Sequence, residues 1–187
     1  MAAVSVELRF DVRTEEAIRR TWDALADAGI ARAARDGGMT PHISLGACAR
    51  LIDAEAFSVA LSRLARETPP VALSFDHLGV FFGDEGVVFA GATPTRELLA
   101  LHEAFWKVFD GLADEPRPYY RPGNWVPHAT LAIRANGRER EQALTFLHRS
   151  KEFPLHGRGV KLVLVEAPAD RALAVWPLEG VLAPVLE

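Results

Sequence analysis

Two short stretches of the chain carry matched polar side chains: Pro41-His42-Ile43-Ser44-Leu45-Gly46 and Pro127-His128-Ala129-Thr130-Leu131-Ala132. Pro, His and Leu are identical, and a hydroxyl residue holds the fourth place in both. They stand almost half of the 187-residue chain apart, the mark of an internal duplication. Two imidazoles, each with an ordinary pKa of about 6.5, can be one neutral and one protonated around neutral pH. One can take a proton from an attacking water or hydroxyl while the other gives one to a leaving oxygen. The hydroxyls of Ser44 and Thr130, with a nearby Arg, can hold phosphoryl oxygens. For a phosphodiester this chemistry needs no metal.

Strand geometry decides whether those groups can meet. Side chains two apart on a strand point to the same face. His42 and Ser44 therefore project together, and Ile43 and Leu45 project into a core. His128 and Thr130 do the same, with Ala129 and Leu131 behind them. The Pro before each His suits the first residue of a strand, because it cannot donate a ladder hydrogen bond. Two pseudo-symmetric lobes would bring the two polar faces across one groove.

The rest of the chain supplies the frame. "VSVELRF" alternates as a half-buried strand, and Thr14 with Glu15 and Glu16 reads as the start of a helix lined by Ile18, Trp22 and Leu25. "ARDGGMTP" reads as a loop. Asp53 caps a second helix, ended by Pro69 and Pro70. "VALSFDHLGVFF" and "GVVFAGAT" form a hairpin around Gly83–Gly86. A third helix starts near Thr95, with Leu98, Leu101, His102, Phe105 and Phe109 inward. "ADEPRPYYRPGN" is a loop, "REREQALTFLHR" a fourth helix, and "VKLVLVEA" and "ALAVWPL" the last two strands, with residues 168–171 between them. The class is α+β, one domain over residues 1–187 whose second part resembles its first.

The two motifs resemble the paired His–apolar–Ser/Thr–apolar signature of the two-histidine (2H) phosphoesterase superfamily. That group includes 2′-5′ RNA ligase-like proteins and 2′,3′-cyclic phosphodiesterases. "GVVFAGATPTRELLALHEAF" is similar to the family's strand-then-helix segment, and "YYRPGNWVPHATLA" to its approach to the second His. The resemblance implies two pseudo-symmetric lobes, each with an antiparallel sheet and outer helices, and an active groove between them. It places His42, Ser44, His128 and Thr130 in that groove. It also implies hydrolysis of a 2′,3′-cyclic phosphate, or of a 2′-5′ linked nucleotide or RNA end, by paired-His acid–base catalysis. The alternative is a binder of RNA ends or nucleotides that uses the same groove without turnover. One departure is Ala129, smaller than the bulky residue usual there. The symmetry leaves open which His is the base.

Tyr119, Tyr120 and Arg121 could stack on a base and clamp a phosphate, or simply pack as a loop. Glu7 and Arg9 share one face of the first strand and could line the groove or meet water, with water the default neighbour. His102 is expected to pack inside. His77 is expected to be structural with a groove position open, and His148 and His156 to be solvated. Ser44 is not a hydrolase-elbow nucleophile, since His42 stands where the elbow needs Gly. No HExxH, paired-Cys spacing, phosphate-cradling Gly-Lys loop or adenylation lysine motif is present, so no metal or cofactor is expected. A "ligase" activity would then be reversed phosphodiester cleavage.

Bulk properties set the outer limits. A formal net charge of −4 argues against a general nucleic-acid coat. Cys48 is the single cysteine, so no intrachain disulfide forms and a cytoplasmic setting is expected. The N-terminal stretch lacks a signal-peptide layout, and no apolar run approaches the roughly 20 residues of a membrane span. The expected partner is a nucleotide or RNA terminus, bound by a monomer away from membranes.

Overall fold

The computed structural model describes residues 3–83, 86–167 and 169–181. Residues 84–85, within the expected hairpin turn, and Pro168, within the expected final turn, lie outside the described residues.

The alternating first strand forms as β1 (Val4–Phe10). It leads into α1 (Val12–Asp27), whose N-cap is Asp11 rather than Thr14. Asp11 Oδ1 accepts the Thr14 N–H at 2.8 Å, which satisfies one of the orphan donors of the first turn. Thr14 is instead buried inside the first turn. A one-turn helix, α2 (Ala33–Asp36), occupies part of the expected loop. The first motif strand, β2, starts at His42 and runs to Cys48. A short β3 (Arg50–Leu51) precedes α3 (Ala54–Glu67), capped by Asp53 as expected. The hairpin strands are β4 (Val71–Phe81) and β5 (Val87–Ala92). Thr95 caps α4 (Arg96–Leu112), and β6 (Ala113–Asp114) pairs with β3. After a 3₁₀ turn at Pro118–Tyr120 comes the second motif strand, β7 (His128–Ala132). A capping box of Asn136 and Glu139 opens α5 (Gly137–His148). The chain finishes with β8 (Leu155–Glu166) and β9 (Arg171–Pro177).

The fold is α+β with antiparallel strands and outer helices. Its two halves are joined in one sheet of order β2-β1-β8-β4-β5-β7, with β9 also on β8. The join is β8, which runs five residues further toward the N-terminus than the apolar pattern suggested. Residues 159–166 pair with β1, while residues 155–159 pair with β4. Gly157 and Gly159 make this extension look like a break in sequence. In the fold they allow close approach, since a Cβ at Gly159 would strike Leu8 and one at Gly157 would strike Thr14. Asp11 ties the same segment down. Its backbone N–H donates to Arg158 O, and its Oδ2 accepts the Arg158 N–H at 2.7 Å.

The motif strands end the sheet at opposite extremes, yet they lie against each other. Ile43, Leu45, Ala129 and Leu131 are buried behind them. Burying a side chain the size of Ile43 or Leu45 is worth about 2 kcal/mol, which anchors the polar face the other way. Ala129 is fully buried opposite Ala90, a small-on-small pairing that accommodates the missing bulk. On the far side of β2, Phe105 and Phe109 of α4 stack at 4.9 Å under Gly46, where a side chain would not fit.

Candidate active groove

His42 and His128 make the same hydrogen bond. Each ring Nδ1 lies 2.7 Å from the backbone carbonyl two residues earlier, Thr40 for His42 and Val126 for His128. A carbonyl only accepts, so each Nδ1 carries a hydrogen. That leaves Nε2 as the nitrogen available for proton transfer. Both rings, with Ser44 and Thr130, line a groove of about 540 Å³.

The strands beneath the hydroxyls are held alike too. The indole Nε1 of Trp125 donates to Ser44 O at 2.9 Å, and that of Trp22 donates to Thr130 O at 3.0 Å. Each motif strand pairs on one side only, so these carbonyls would otherwise lie unpaired at a sheet edge.

The surroundings of the two rings differ. His128 packs against the stacked pair Phe81 and Phe89, at ring separations of 4.8 and 5.0 Å. Burial lowers its pKa below the ordinary histidine value, against the pull of the Val126 carbonyl, and the nearby charge of His42 lowers it further. Phe89 reaches this position because Gly79, opposite it on β4, has no side chain in the way. His42 faces Glu7 instead, with Nδ1 3.6 Å from Oε2.

The 2′-5′ RNA ligase superfamily model matches residues 14–171. The chain belongs to the 2′-5′ RNA ligase superfamily. A Bacillus licheniformis protein with a provisional phosphoesterase name is 30% identical over 106 residues, covering 56% of this chain and 59% of that relative. Apo E. coli LigT superposes with a TM-score of 0.60 at 20% identity, covering 94% of this chain and 96% of that one. The Thermus thermophilus protein TT0787 gives 0.61 at 20% identity, covering 95% of this chain and 98% of that one. These likenesses show a common fold. The E. coli protein is also solved in complex with 3′-AMP, with NADP+ and with ATP.

Within this superfamily fold, Tyr119 and Tyr120 line the groove with His42 and His128, but Arg121 does not. Its guanidinium pairs with Asp110 at 2.6 Å and lies over the Trp106 ring at 5.0 Å. Phe82, at 99% exposed, stands at the groove together with Tyr119, at 59%. His102 is buried as expected, stacked on Trp125 at 3.7 Å with the rings 5° apart. Burial brings its pKa down to about 4 despite backbone bonds to Leu45 and Tyr120. His77, His148 and His156 are exposed, with His77 Nδ1 3.0 Å from Asp76.

Glu7 and Arg9 depart from expectation. They are 3% and 8% exposed, not solvated. Cross-strand register puts Arg9 beside His42 and Glu7 beside Ser44. Asp170, from the turn before β9, completes the group by pairing with Arg9 at 3.3 Å and accepting the Thr40 N–H at 2.9 Å. The shared face of Glu7 and Arg9 was legible in the alternation of β1, but their burial was not. Nothing near Asp170 in sequence marks it.

A wider cleft of about 1070 Å³ lies between α1 and α5 and holds none of the motif residues. Arg20 and Glu152 pair across it at 3.0 Å. Among the described residues, no three His, Cys, Asp or Glu side chains gather as a metal site. None of the described helices is long and apolar enough to cross a membrane.

Proposed function

We propose that the protein is a phosphodiesterase that opens a 2′,3′-cyclic phosphate, or cleaves a 2′-5′ linkage, on a nucleotide or RNA end. The observation that carries this reading is the matched pair of histidines. Both are fixed through Nδ1 to a backbone carbonyl, and both line one groove with a hydroxyl two residues on. The nucleotide complexes of E. coli LigT support a nucleotide as the ligand class.

His128 is the base. Its lowered pKa keeps Nε2 unprotonated near neutral pH, ready to take a proton from water. The resulting hydroxide oxygen bonds to phosphorus as the bond from phosphorus to the ribose oxygen breaks. His42 gives its Nε2 proton to that ribose oxygen. Ser44 and Thr130 hydroxyls donate to the non-bridging phosphoryl oxygens, whose charge grows in the transition state. Exchange with solvent returns both rings to their starting states. No step draws on a metal.

The test is turnover of 2′,3′-cyclic nucleotides, cyclic-ended RNA and 2′-5′ dinucleotides in the presence of EDTA. His42→Ala and His128→Ala should each reduce kcat by about 10²–10⁴-fold. Activity that survives both substitutions, or that EDTA removes, overturns this mechanism. Tight nucleotide binding with no turnover would favour the binding-module alternative.

A further inference from the structure

We infer that Glu7 is a positioning residue for His42, acting through the Arg9–Asp170–Thr40 contacts that orient the imidazole and placing a negative charge beside its Nδ1 edge. This rests on the reading of His42 as the acid. The pseudo-symmetry of the groove stops at this point. His128 packs against Phe81 and Phe89, whereas His42 has a buried carboxylate at 3.6 Å.

The Glu7 side chain is held firmly. Its Oε2 accepts from Arg9 Nε at 2.8 Å and also faces Arg9 Nη2 at 2.8 Å. Ser5 Oγ donates to Oε1 at 3.4 Å. Arg9 in turn pairs with Asp170, and Asp170 holds the N–H of Thr40, whose carbonyl receives the His42 Nδ1–H. The chain of contacts therefore closes on His42 from two directions, through the carboxylate and through the backbone that orients the ring.

The charge count points the same way. Two carboxylates surround one guanidinium in a largely buried group, so the cluster carries one negative charge that Arg9 does not cancel. A buried charge without a partner is costly, and the imidazole of His42, with Nδ1 3.6 Å from Glu7 Oε2, is the ring that faces it. The other titratable groups facing His42 are His128 across the groove, whose positive form would oppose it, and the phenols of Tyr119 and Tyr120 in the 3₁₀ turn. Lys161, on β8 beyond Arg9, is the next cation on this face. None of these supplies the missing negative charge, which leaves Glu7 and Asp170 as its sources.

The experiment follows the His42 ring directly. The Cε1–H resonances of the full chain are titrated by NMR, with His42→Ala to assign the signal. In Glu7→Gln, which keeps the shape and loses the charge, the midpoint of His42 should lie below that of the unsubstituted protein. Asp170→Asn is the second variant, since it removes the surplus charge without touching either Glu7 or His42. It should move the midpoint in the same direction, and it carries the test if Glu7→Gln does not fold. On a cyclic nucleotide, Glu7→Gln should lower kcat about tenfold with KM changed less than about twofold, and the alkaline limb of kcat should move to lower pH. A His42 midpoint unchanged in both variants overturns the inference. A fall in kcat that only tracks a lower thermal midpoint, with the pH profile fixed, also overturns it. If the wild-type protein turns over no phosphodiester, the proposed function fails while the titration still decides the role of Glu7.

Discussion

The indole N–H of Trp125 reaches the backbone carbonyl of Ser44 at 2.9 Å while its ring lies flat on His102. One side chain thus joins the loop before β7 to the edge of β2, and a buried α4 histidine supports it from behind. Trp125→Phe keeps a ring for stacking but removes the donor. We expect a stability loss of about 1–3 kcal/mol, the cost of leaving a shielded carbonyl unsatisfied. Urea unfolding measures it, and Trp22→Phe should do the same to Thr130 O on the other edge strand.

His102 should make stability depend on pH. Its folded-state pKa is lowered to about 4, so the unfolded chain accepts a proton that the folded chain refuses. Stability should therefore decline as pH falls from about 6.5 to about 4, by about 3 kcal/mol in all, and level off below. Chemical denaturation across that range should show a flatter decline in His102→Gln, whose amide can still donate to Leu45 O and cannot be charged.

The acidic limb of the rate profile should report His128. Because burial against Phe81 and Phe89 lowers its pKa, activity should persist to lower pH than an ordinary histidine base allows. Phe81→Ala admits water and removes part of that cause. The limb of kcat/KM should then shift to higher pH, and an unmoved limb would assign the ionisation elsewhere.

The hydroxyls should act on phosphate without holding the fold. Thr130→Val and Ser44→Ala remove donors that face the groove, while the indole bonds to the backbone at both positions remain. Each should lower kcat/KM by about 10–100-fold, with urea midpoints close to wild type.

Arg121 should be dispensable for turnover. It is paired with Asp110 and laid over Trp106, away from the groove. Arg121→Ala should leave kcat/KM within about twofold and cost less than about 1 kcal/mol, as expected for an exposed ion pair with a cation–π contact. A large rise in KM would instead give it the phosphate-clamping role that its place in the sequence suggested.

The candidate site was legible because strand periodicity is local. Once His42-Ile43-Ser44 and His128-Ala129-Thr130 were read as strands, the pleat alone put each His beside its hydroxyl and the apolar residues behind. The Asp53 cap and the start of a helix near Thr95 were legible for the same reason, since a cap acts within one helical turn. The first helix misled because Thr14 has the residue type of a cap, while Asp11, three residues earlier, is the one that caps it. Asp11 prevailed because it caps the helix and also pins Arg158.

What the sequence by itself determined is the duplicated polar face and the α+β alternation of elements, which follow from side-chain periods along a strand or helix. Only the tertiary structure decided how the halves join and how the two histidines differ. Gly157 and Gly159 precede the apolar run VKLVLVEA, and with Thr14 and Leu8 packed against them they become the part of β8 that bridges β1 to β4. Phe81 and Phe89 beside His128, and Glu7, Arg9 and Asp170 beside His42, come from strands and a turn far apart in the chain. Local pattern carries no information about such neighbours. Burial and charge at a ring are set by whatever packs against it, and the two copies of one motif were packed against different partners.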